Sequence, residues 1–125
     1  MLLRHGIDIC SIKRVEHIYL KYGRKFLTKA FTESEKLILL NTDKKNLNQK
    51  LAGKFAAKEA LIKALDYTTS YSALREIEIS HYASGKPCII LHGGILDHYN
   101  SLAAKDIILS ISHEKDYAIA SVIVL

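Results

Sequence analysis

The stretch NQKLAGKFAAKEALIKAL at residues 48–65 predicts the longest helix of this 125-residue chain. Alanine and leucine dominate the stretch, and no run of β-branched residues interrupts it. At 3.6 residues per turn, large apolar side chains share one broad arc and small residues fill most of the opposite side. The large set is Leu51, Phe55, Leu61, Ile62 and Leu65, and the small set is Ala52, Gly53, Ala56, Ala57, Ala60 and Ala64. The small side is suited to close packing against another element or another subunit.

Four charged residues lie on this nearly apolar helix. The helix has hardly any polar face, so exposure to solvent does not readily explain their positions. Lys54 and Lys58 fall inside the large apolar arc, so they either reach solvent along their aliphatic stems or face a bound anion. Glu59 and Lys63 form an i,i+4 pair at the edge of the small side. Glu59 is therefore either the partner of Lys63 in a surface ion pair or a ligand of a metal ion.

On both sides of this helix, the sequence pattern is typical of an α+β chain with a single domain over residues 1–125. A capping box at residues 32–35 predicts a second well-defined helix start, and alternation near the C-terminus predicts a β-hairpin. The predicted strands are residues 2–10, 75–80, 88–91, 107–112 and 117–124, and the other predicted helices are residues 12–22, the helix after Thr32, and 94–104.

Composition excludes several classes of protein. The chain is 49% hydrophobic, too much for a disordered tail, and no apolar run approaches the roughly 18 residues of a membrane span. Residues 1–5 are too short an apolar start for a signal peptide, and Cys10 and Cys88 are interpreted as reduced thiols, so we expect a cytoplasmic protein without a membrane partner. The net charge of +5 suggests an acidic partner: nucleic acid, anionic lipid, a phosphorylated ligand or an acidic protein.

Asp8 is the second unusual charge, because it stands inside the apolar run of residues 2–10, where aspartate is disfavoured. It is either a carboxylate at a turn or strand end, or a partner of Glu59 at one site. Two carboxylates without a nearby cluster of histidine or cysteine favour Mg²⁺, which usually takes one or two carboxylates plus substrate phosphates. His113 ends a predicted strand, where a lone histidine is either structural or part of such a site.

Three blocks of the sequence resemble the holo-[acyl-carrier-protein] synthases, the short class of 4′-phosphopantetheinyl transferases. They are GIDI at residues 6–9 followed by Ile12 and Arg14, KFAAKEA at residues 54–60 followed by Lys63 and Ala64, and SISH at residues 110–113 followed by DYA at 116–118. GKP at residues 85–87 matches a further short motif. The order and spacing of the blocks agree over essentially the whole chain.

The resemblance implies transfer of the 4′-phosphopantetheine group from coenzyme A to a serine of apo acyl carrier protein, with 3′,5′-ADP as the second product. The reaction is Mg²⁺-dependent and supports fatty acid biosynthesis. The implied fold is a long central helix packed on a small, largely antiparallel sheet, and the implied assembly is a homotrimer with sites between subunits.

By the same resemblance, Asp8 and Glu59 hold Mg²⁺, and the catalytic residues are Asp8, Glu59 and Lys63. Glu59, or a water that it orients, accepts the proton of the carrier serine. The residues implied to contact coenzyme A are Lys54, Lys58, Lys63, Gly85, Lys86, Pro87 and His113. The candidates for docking the acidic carrier protein are Arg14, Lys21, Arg24 and Lys25, whose other interpretation is a solvated basic face.

One residue departs from the family pattern, which usually has arginine where Lys54 stands. Lysine keeps the charge but lacks the planar bidentate fork of arginine. This leaves open a non-catalytic trimer that binds coenzyme A or the carrier protein without turnover. A basic nucleic-acid-binding module is a further alternative, although the lysines of the long helix do not form one exposed stripe and no recognised reader motif is present.

Overall fold

The long helix and the strands that pack on it form the centre of the fold. A computed structural model describes residues 2–68 and 71–125. The strands are β1 Arg4–Ser11, β2 Ile77–His81, β3 Pro87–Leu91, β4 Ile107–His113 and β5 Tyr117–Val124. The α-helices are α1 Ile12–Tyr22, α2 Arg24–Ala30, α3 Glu33–Leu40, α4 Lys44–Leu65 and α5 Gly93–Ser101, and a 3₁₀ helix spans Tyr71–Glu76.

The strands form two antiparallel sheets. One has the order β1-β5-β4, and the other is the hairpin β2-β3. In the first sheet Asp8 lies opposite Ala120, which in turn lies opposite Ile111. The predicted C-terminal hairpin is confirmed as β4 and β5, and the α+β fold with a long helix on a small antiparallel sheet is confirmed as well.

Helix α4 packs its small side against β1 of the same chain. A Cβ at Gly6 would overlap the carbonyl oxygen of Ala60 and lie 2.7 Å from the nitrogen of Ala64. Strand and helix backbones therefore meet where no side chain intervenes, and the adjoining Ala118 and Ala120 of β5 are completely buried. The sequence left open whether the small side packs against another element or another subunit. In the structure it packs against β1 of the same chain.

Two helices differ from the sequence prediction. Helix α2 was not predicted: its N-cap is Gly23, whose φ is +56°, and it has no side-chain N-cap hydrogen bond that the sequence could reveal. Helix α4 begins at Lys44 rather than Asn48, because the polar residues 44–46 belong to its first turn.

The capping box at the start of α3 is confirmed, since Thr32 and Glu35 exchange both of its hydrogen bonds. The buried side of this helix nevertheless carries Glu35 and Leu39, while Leu37 and Ile38 are exposed. In the described part of the chain, we find no helix with the length and apolar character needed to cross a membrane.

Candidate active site

Asp8 and Lys63 meet because β1 lies directly against α4. Asp8 follows Gly6 by two residues, so both side-chain positions lie on the face of the strand that packs on the helix. The ammonium of Lys63 is 3.0 Å from Oδ1 of Asp8 and donates to the carbonyl oxygen of Ile7 at 3.1 Å. The strand thus presents one carboxylate and one carbonyl oxygen to the same lysine.

Glu59 completes a carboxylate pair. It lies one helical turn before Lys63 and lines the same cleft as Asp8. Burial raises the pKa of Glu59, the negative charge of Asp8 raises it further, and the positive charge of Lys63 lowers it. The three side chains therefore interact electrostatically, as a shared site requires.

The cleft that contains Asp8 and Glu59 has a volume of about 430 Å³. Its remaining wall is mostly apolar and comes from β1, α1, α2 and α4, with Tyr117 of β5. The residues of that wall include Cys10, Val15, Ile18, Phe26 and Phe55, and Arg14 lies among them. The carboxylates therefore stand beside a partly apolar cleft that has one basic residue in its wall.

The donor set of this cleft fits Mg²⁺ better than a transition metal. Among the described residues, no cluster of three or more histidine, cysteine, aspartate or glutamate side chains is present, so a four-ligand protein site of the zinc type is not formed there. Two carboxylates with room beside them suit Mg²⁺, which keeps several of its positions for water and substrate phosphates.

His113 lies near the end of the sheet, on the side that faces α4. It is opposite Ala118, which is opposite Cys10, so His113 and Cys10 are two strands or roughly 10 Å apart. Its Nδ1 lies 2.6 Å from the amide nitrogen of Gln49, on the N-terminal half of α4. The sequence analysis did not identify Gln49, since a contact over 64 residues leaves no local pattern.

The structure places Lys58 inside the protein and not at the cleft. The residue is 0% exposed, and its ammonium donates to Oε1 of Glu35 at 2.5 Å and to the carbonyl oxygens of Ala30 and Leu74 at 2.8 and 2.9 Å. It also lies 4.7 Å from the ring centroid of Phe31. All three protons of the ammonium have protein acceptors, so its placement argues against the phosphate contact expected from the sequence.

Lys54 is also buried, with 5% exposure, and its ammonium donates to the carbonyl oxygen of Ile79 at 2.7 Å. Burial is the main reason why its pKa is lowered. The backbone nitrogen of Ile79 donates to Oε2 of Glu35. Lys54 and Glu35 thus hold the same residue of β2 from its two backbone groups, and Lys54 binds a backbone carbonyl where a phosphate contact was expected.

Glu35 was known from the sequence only as a capping residue. In the structure its Oε1 also accepts a hydrogen bond from Lys58, and its Oε2 binds β2. The contact with Ile79 spans 44 residues and is invisible to a local motif.

Gly85 and Lys86 lie in the turn between β2 and β3, and Pro87 is the first residue of β3. Gly85 has a φ of +88°, which favours glycine, and its backbone nitrogen donates to the carbonyl of Tyr82 at 2.8 Å. Lys86 and Pro87 line a second cavity of about 310 Å³ together with Tyr82, Tyr99 and Lys105. This cavity and the Asp8–Glu59 cleft have no lining residue in common.

The four basic candidates for protein docking lie on adjacent helices. Arg14 and Lys21 are on α1, and Arg24 and Lys25 begin α2; all four are exposed. Arg14 also lines the cleft of Asp8 and Glu59. The basic surface is therefore continuous with the mouth of the candidate site.

Comparison with known proteins gives a consistent family. Residues 4–122 match the model of the 4′-phosphopantetheinyl transferase superfamily. The holo-[acyl-carrier-protein] synthase of Thermodesulfovibrio yellowstonii is 40% identical over 119 residues, which is 95% of each chain. That of Natranaerobius thermophilus is 36% identical over 98% of this chain and 97% of its own.

Solved structures agree with the sequence relatives. The holo-[acyl-carrier-protein] synthase of Neisseria meningitidis superposes with a TM-score of 0.89 at 31% identity, covering 98% of this chain and 97% of its own. The Helicobacter pylori synthase, solved in complex with coenzyme A, gives a TM-score of 0.80 at 32% identity, covering 97% and 99%. The chain therefore belongs to the 4′-phosphopantetheinyl transferase superfamily, as the resemblance of its motifs implied.

Proposed function

We propose that this protein is a holo-[acyl-carrier-protein] synthase, which transfers the 4′-phosphopantetheine group of coenzyme A to a serine of apo acyl carrier protein and releases 3′,5′-ADP. The observation that carries the proposal is that Asp8 and Glu59 line one cleft while the ammonium of Lys63 binds Asp8. Relatives that match nearly the whole chain bear that name, and one solved neighbour binds coenzyme A.

In this proposal Asp8 and Glu59 hold Mg²⁺, which would supply charge neutralisation at the pyrophosphate of coenzyme A. Lys63 donates to the phosphate oxygens from the adjacent turn of α4. The serine hydroxyl of the carrier forms the new bond to phosphorus, and the bond to the departing 3′,5′-ADP breaks. Glu59 accepts the hydroxyl proton, directly or through a water.

The contacts to the rest of coenzyme A are assigned to His113 and to the turn of Gly85, Lys86 and Pro87. Lys54 and Lys58 are left out of this set, because their ammonium groups are buried and bonded to protein acceptors. The turn and the cleft line separate cavities in one chain. We therefore propose that different subunits supply them.

The proposed assembly is a homotrimer, and the exposed face of the three-stranded sheet supports it. That face carries Ile7, Ile9 and Ile119, which are 50%, 63% and 37% exposed. Its register aligns Ile9 with Ile119, so these side chains form a contiguous apolar surface. The same apolar face of a second subunit could pack against this surface and bury the exposed isoleucines of both.

The proposed protein substrate is an acidic carrier, which the exposed basic residues of α1 and α2 would attract. The proposed setting is fatty acid biosynthesis in the cytoplasm, by a single domain that spans residues 1–125. The two cysteines, Cys10 and Cys88, are free thiols, as is usual in a reducing compartment.

The reaction is tested by the intact mass of apo acyl carrier protein after incubation with this protein and coenzyme A, with Mg²⁺ or with EDTA. We expect a mass gain of one phosphopantetheine group with Mg²⁺ only. Bound coenzyme A without any mass gain on a cognate carrier would contradict the proposal and favour a non-catalytic binding protein.

The metal assignment is tested in the same assay with Asp8→Asn and Glu59→Gln. Both changes keep the size of the side chain and remove its charge, so we expect transfer to fall by at least about 100-fold while the circular dichroism spectrum is unchanged. Asp97→Asn, at an exposed position of α5, is the matched control. Full activity of either site variant would remove that residue from the metal site.

A further inference from the structure

The ammonium of Lys63 binds the carboxylate of Asp8, which is also proposed as a metal ligand. The ammonium lies 3.0 Å from Oδ1 of Asp8, whose side chain is only 18% exposed, while the lysine side chain itself is 56% exposed. The second acceptor of the ammonium is the carbonyl oxygen of Ile7. A cation carried by the chain and a divalent cation from solution would therefore use the same oxygen.

Two cations at one carboxylate oppose each other. A divalent ion that binds Asp8 and Glu59 must either displace the ammonium of Lys63 or tolerate a like charge a few ångströms away, and both lower its affinity. The mostly exposed, flexible stem of Lys63 allows the ammonium to leave Asp8 at little steric cost. Phosphate groups arriving beside the cleft would offer the lysine a new anionic partner.

We propose that Lys63 couples the two ligands of the site: it weakens divalent-cation binding to Asp8 and Glu59 until the phosphates of coenzyme A draw its ammonium away. The inference rests on the proposed function, and it specifies that the site binds a divalent cation more weakly without coenzyme A than with it. Because such coupling is reciprocal, the divalent cation also strengthens the binding of coenzyme A by the same factor. Lys63 then acts on the metal through Asp8, in addition to contacting the phosphates.

The test measures Mn²⁺ binding by the loss of the free-ion EPR signal, without and with saturating coenzyme A. In the unmodified protein we expect coenzyme A to tighten Mn²⁺ binding by about 5- to 150-fold, the usual range of such coupling. In Lys63→Met we expect Mn²⁺ without coenzyme A to bind at least about fivefold more tightly. The tightening by coenzyme A should be at least about threefold smaller than in the unmodified protein, because only the direct attraction between cation and phosphates remains.

Three further variants make the result specific. Lys63→Gln is a second neutral variant, in case the methionine variant folds poorly, and Lys63→Arg keeps the charge and should preserve the coupling. Lys45→Met removes one positive charge at the exposed start of the same helix, 18 residues or about 27 Å from Lys63, and should leave Mn²⁺ binding unchanged. Glu59→Gln should abolish the binding and so identify the site.

The outcomes separate this inference from the proposed function. If the neutral variants bind Mn²⁺ without coenzyme A no more tightly than the unmodified protein does, Lys63 serves only the phosphates and the coupling is refuted while the metal site stands. If the unmodified protein binds no Mn²⁺ even with coenzyme A, or Glu59→Gln binds it equally well, the metal site and the coupling both fail.

Discussion

Gly6 sets the distance between β1 and α4, and through it the position of Asp8. Its side-chain position is filled by the backbone of Ala60 and Ala64, which cannot rotate away as a flexible side chain could. Glycine usually destabilises the interior of a strand. The presence of Gly6 in β1 is therefore explained by the close approach of the β1 and α4 backbones and not by strand propensity. The active-site geometry therefore depends on a residue without a side chain.

We expect Gly6→Ala to lower the free energy of unfolding by about 3 kcal/mol, the upper end of the usual range for overpacking, because the clash is with backbone. Gly53→Ala is the matched control: a Cβ there meets only Cγ2 of Ile111 at 3.4 Å, an ordinary contact. It should stabilise the helix by about 0.5–1 kcal/mol. Urea denaturation measures both, and equal effects of the two changes would contradict the close-approach argument.

At the scale of the elements, the buried pair of Lys58 and Glu35 joins three parts of the chain. Lys58 belongs to α4, Glu35 lies in the first turn of α3, and Glu35 also binds β2 through Ile79. The same strand continues into the turn that carries Gly85 and Lys86. The pair therefore orients the β2-β3 hairpin relative to the long helix.

The losses of stability from removing each partner of this pair should not be additive. Lys58→Met leaves the buried Glu35 carboxylate without its cationic partner and removes the Lys58 donor from two carbonyl oxygens, so we expect a loss of about 3–5 kcal/mol in the free energy of unfolding. The double variant Lys58→Met/Glu35→Gln should lose less than the sum of the two single losses. Additive losses in urea denaturation would show that the two side chains do not act as a pair.

Burial also gives Lys58 a pH signature. It lowers the pKa of Lys58 to about 8 against the opposing effect of Glu35, whereas the ordinary value is 10.5. Between these values the unfolded chain binds more protons than the folded one, so this lysine makes stability rise with pH. The free energy of unfolding, taken relative to the double variant, should increase from about pH 8 to 10.5. A decrease over that window would mean that the folded protein holds the proton more tightly.

Helices α1 and α2 carry a surface whose proposed role is docking of the carrier protein. Arg14→Glu combined with Arg24→Glu should raise KM for acyl carrier protein by about tenfold or more, because opposite charges across an interface control encounter. The rise in KM for coenzyme A should be smaller, since only Arg14 of the two lines the Asp8–Glu59 cleft. Lys45→Glu changes the charge by the same amount per residue at the far end of α4. Equal effects on both substrates would exclude a specific docking surface.

At the scale of the whole molecule, the three-stranded sheet has two different faces. One is buried on α4, where Ala118, Ala120 and Val122 are completely enclosed. The other carries exposed isoleucines, and a contiguous apolar surface of this kind is typical of an interaction site. Ile9 of this face also lines the Asp8–Glu59 cleft, so a subunit assembled on this face would lie beside the cleft.

We expect sedimentation to give three times the monomer mass for the unmodified protein and the monomer mass for Ile9→Glu/Ile119→Glu, which places charges on this face. Leu37→Glu, at an equally exposed residue of α3, should leave the assembly unchanged. A trimeric double variant would place the subunit contact elsewhere.

The sequence by itself determined the elements whose interactions are local. Repeats of 3.6 and 2 residues predicted α4 and the β4-β5 hairpin, and the capping box of Thr32 and Glu35 located the start of α3. It also identified Asp8 and Glu59 as unusual charged residues, since aspartate is disfavoured in a strand and glutamate is unexpected on a nearly apolar helix. A pattern over a few residues records such preferences directly.

Only the tertiary structure decided which charges face the cleft. The helical repeat predicts on which side of α4 Lys58 lies. It does not predict that the ammonium binds Glu35, which is 23 residues away in the chain. Lys63 reaches Asp8 across 55 residues, and α2 forms without a capping signal. These contacts arise when separate elements pack and bury their apolar faces together, so the surroundings of a side chain depend on residues that no local pattern contains.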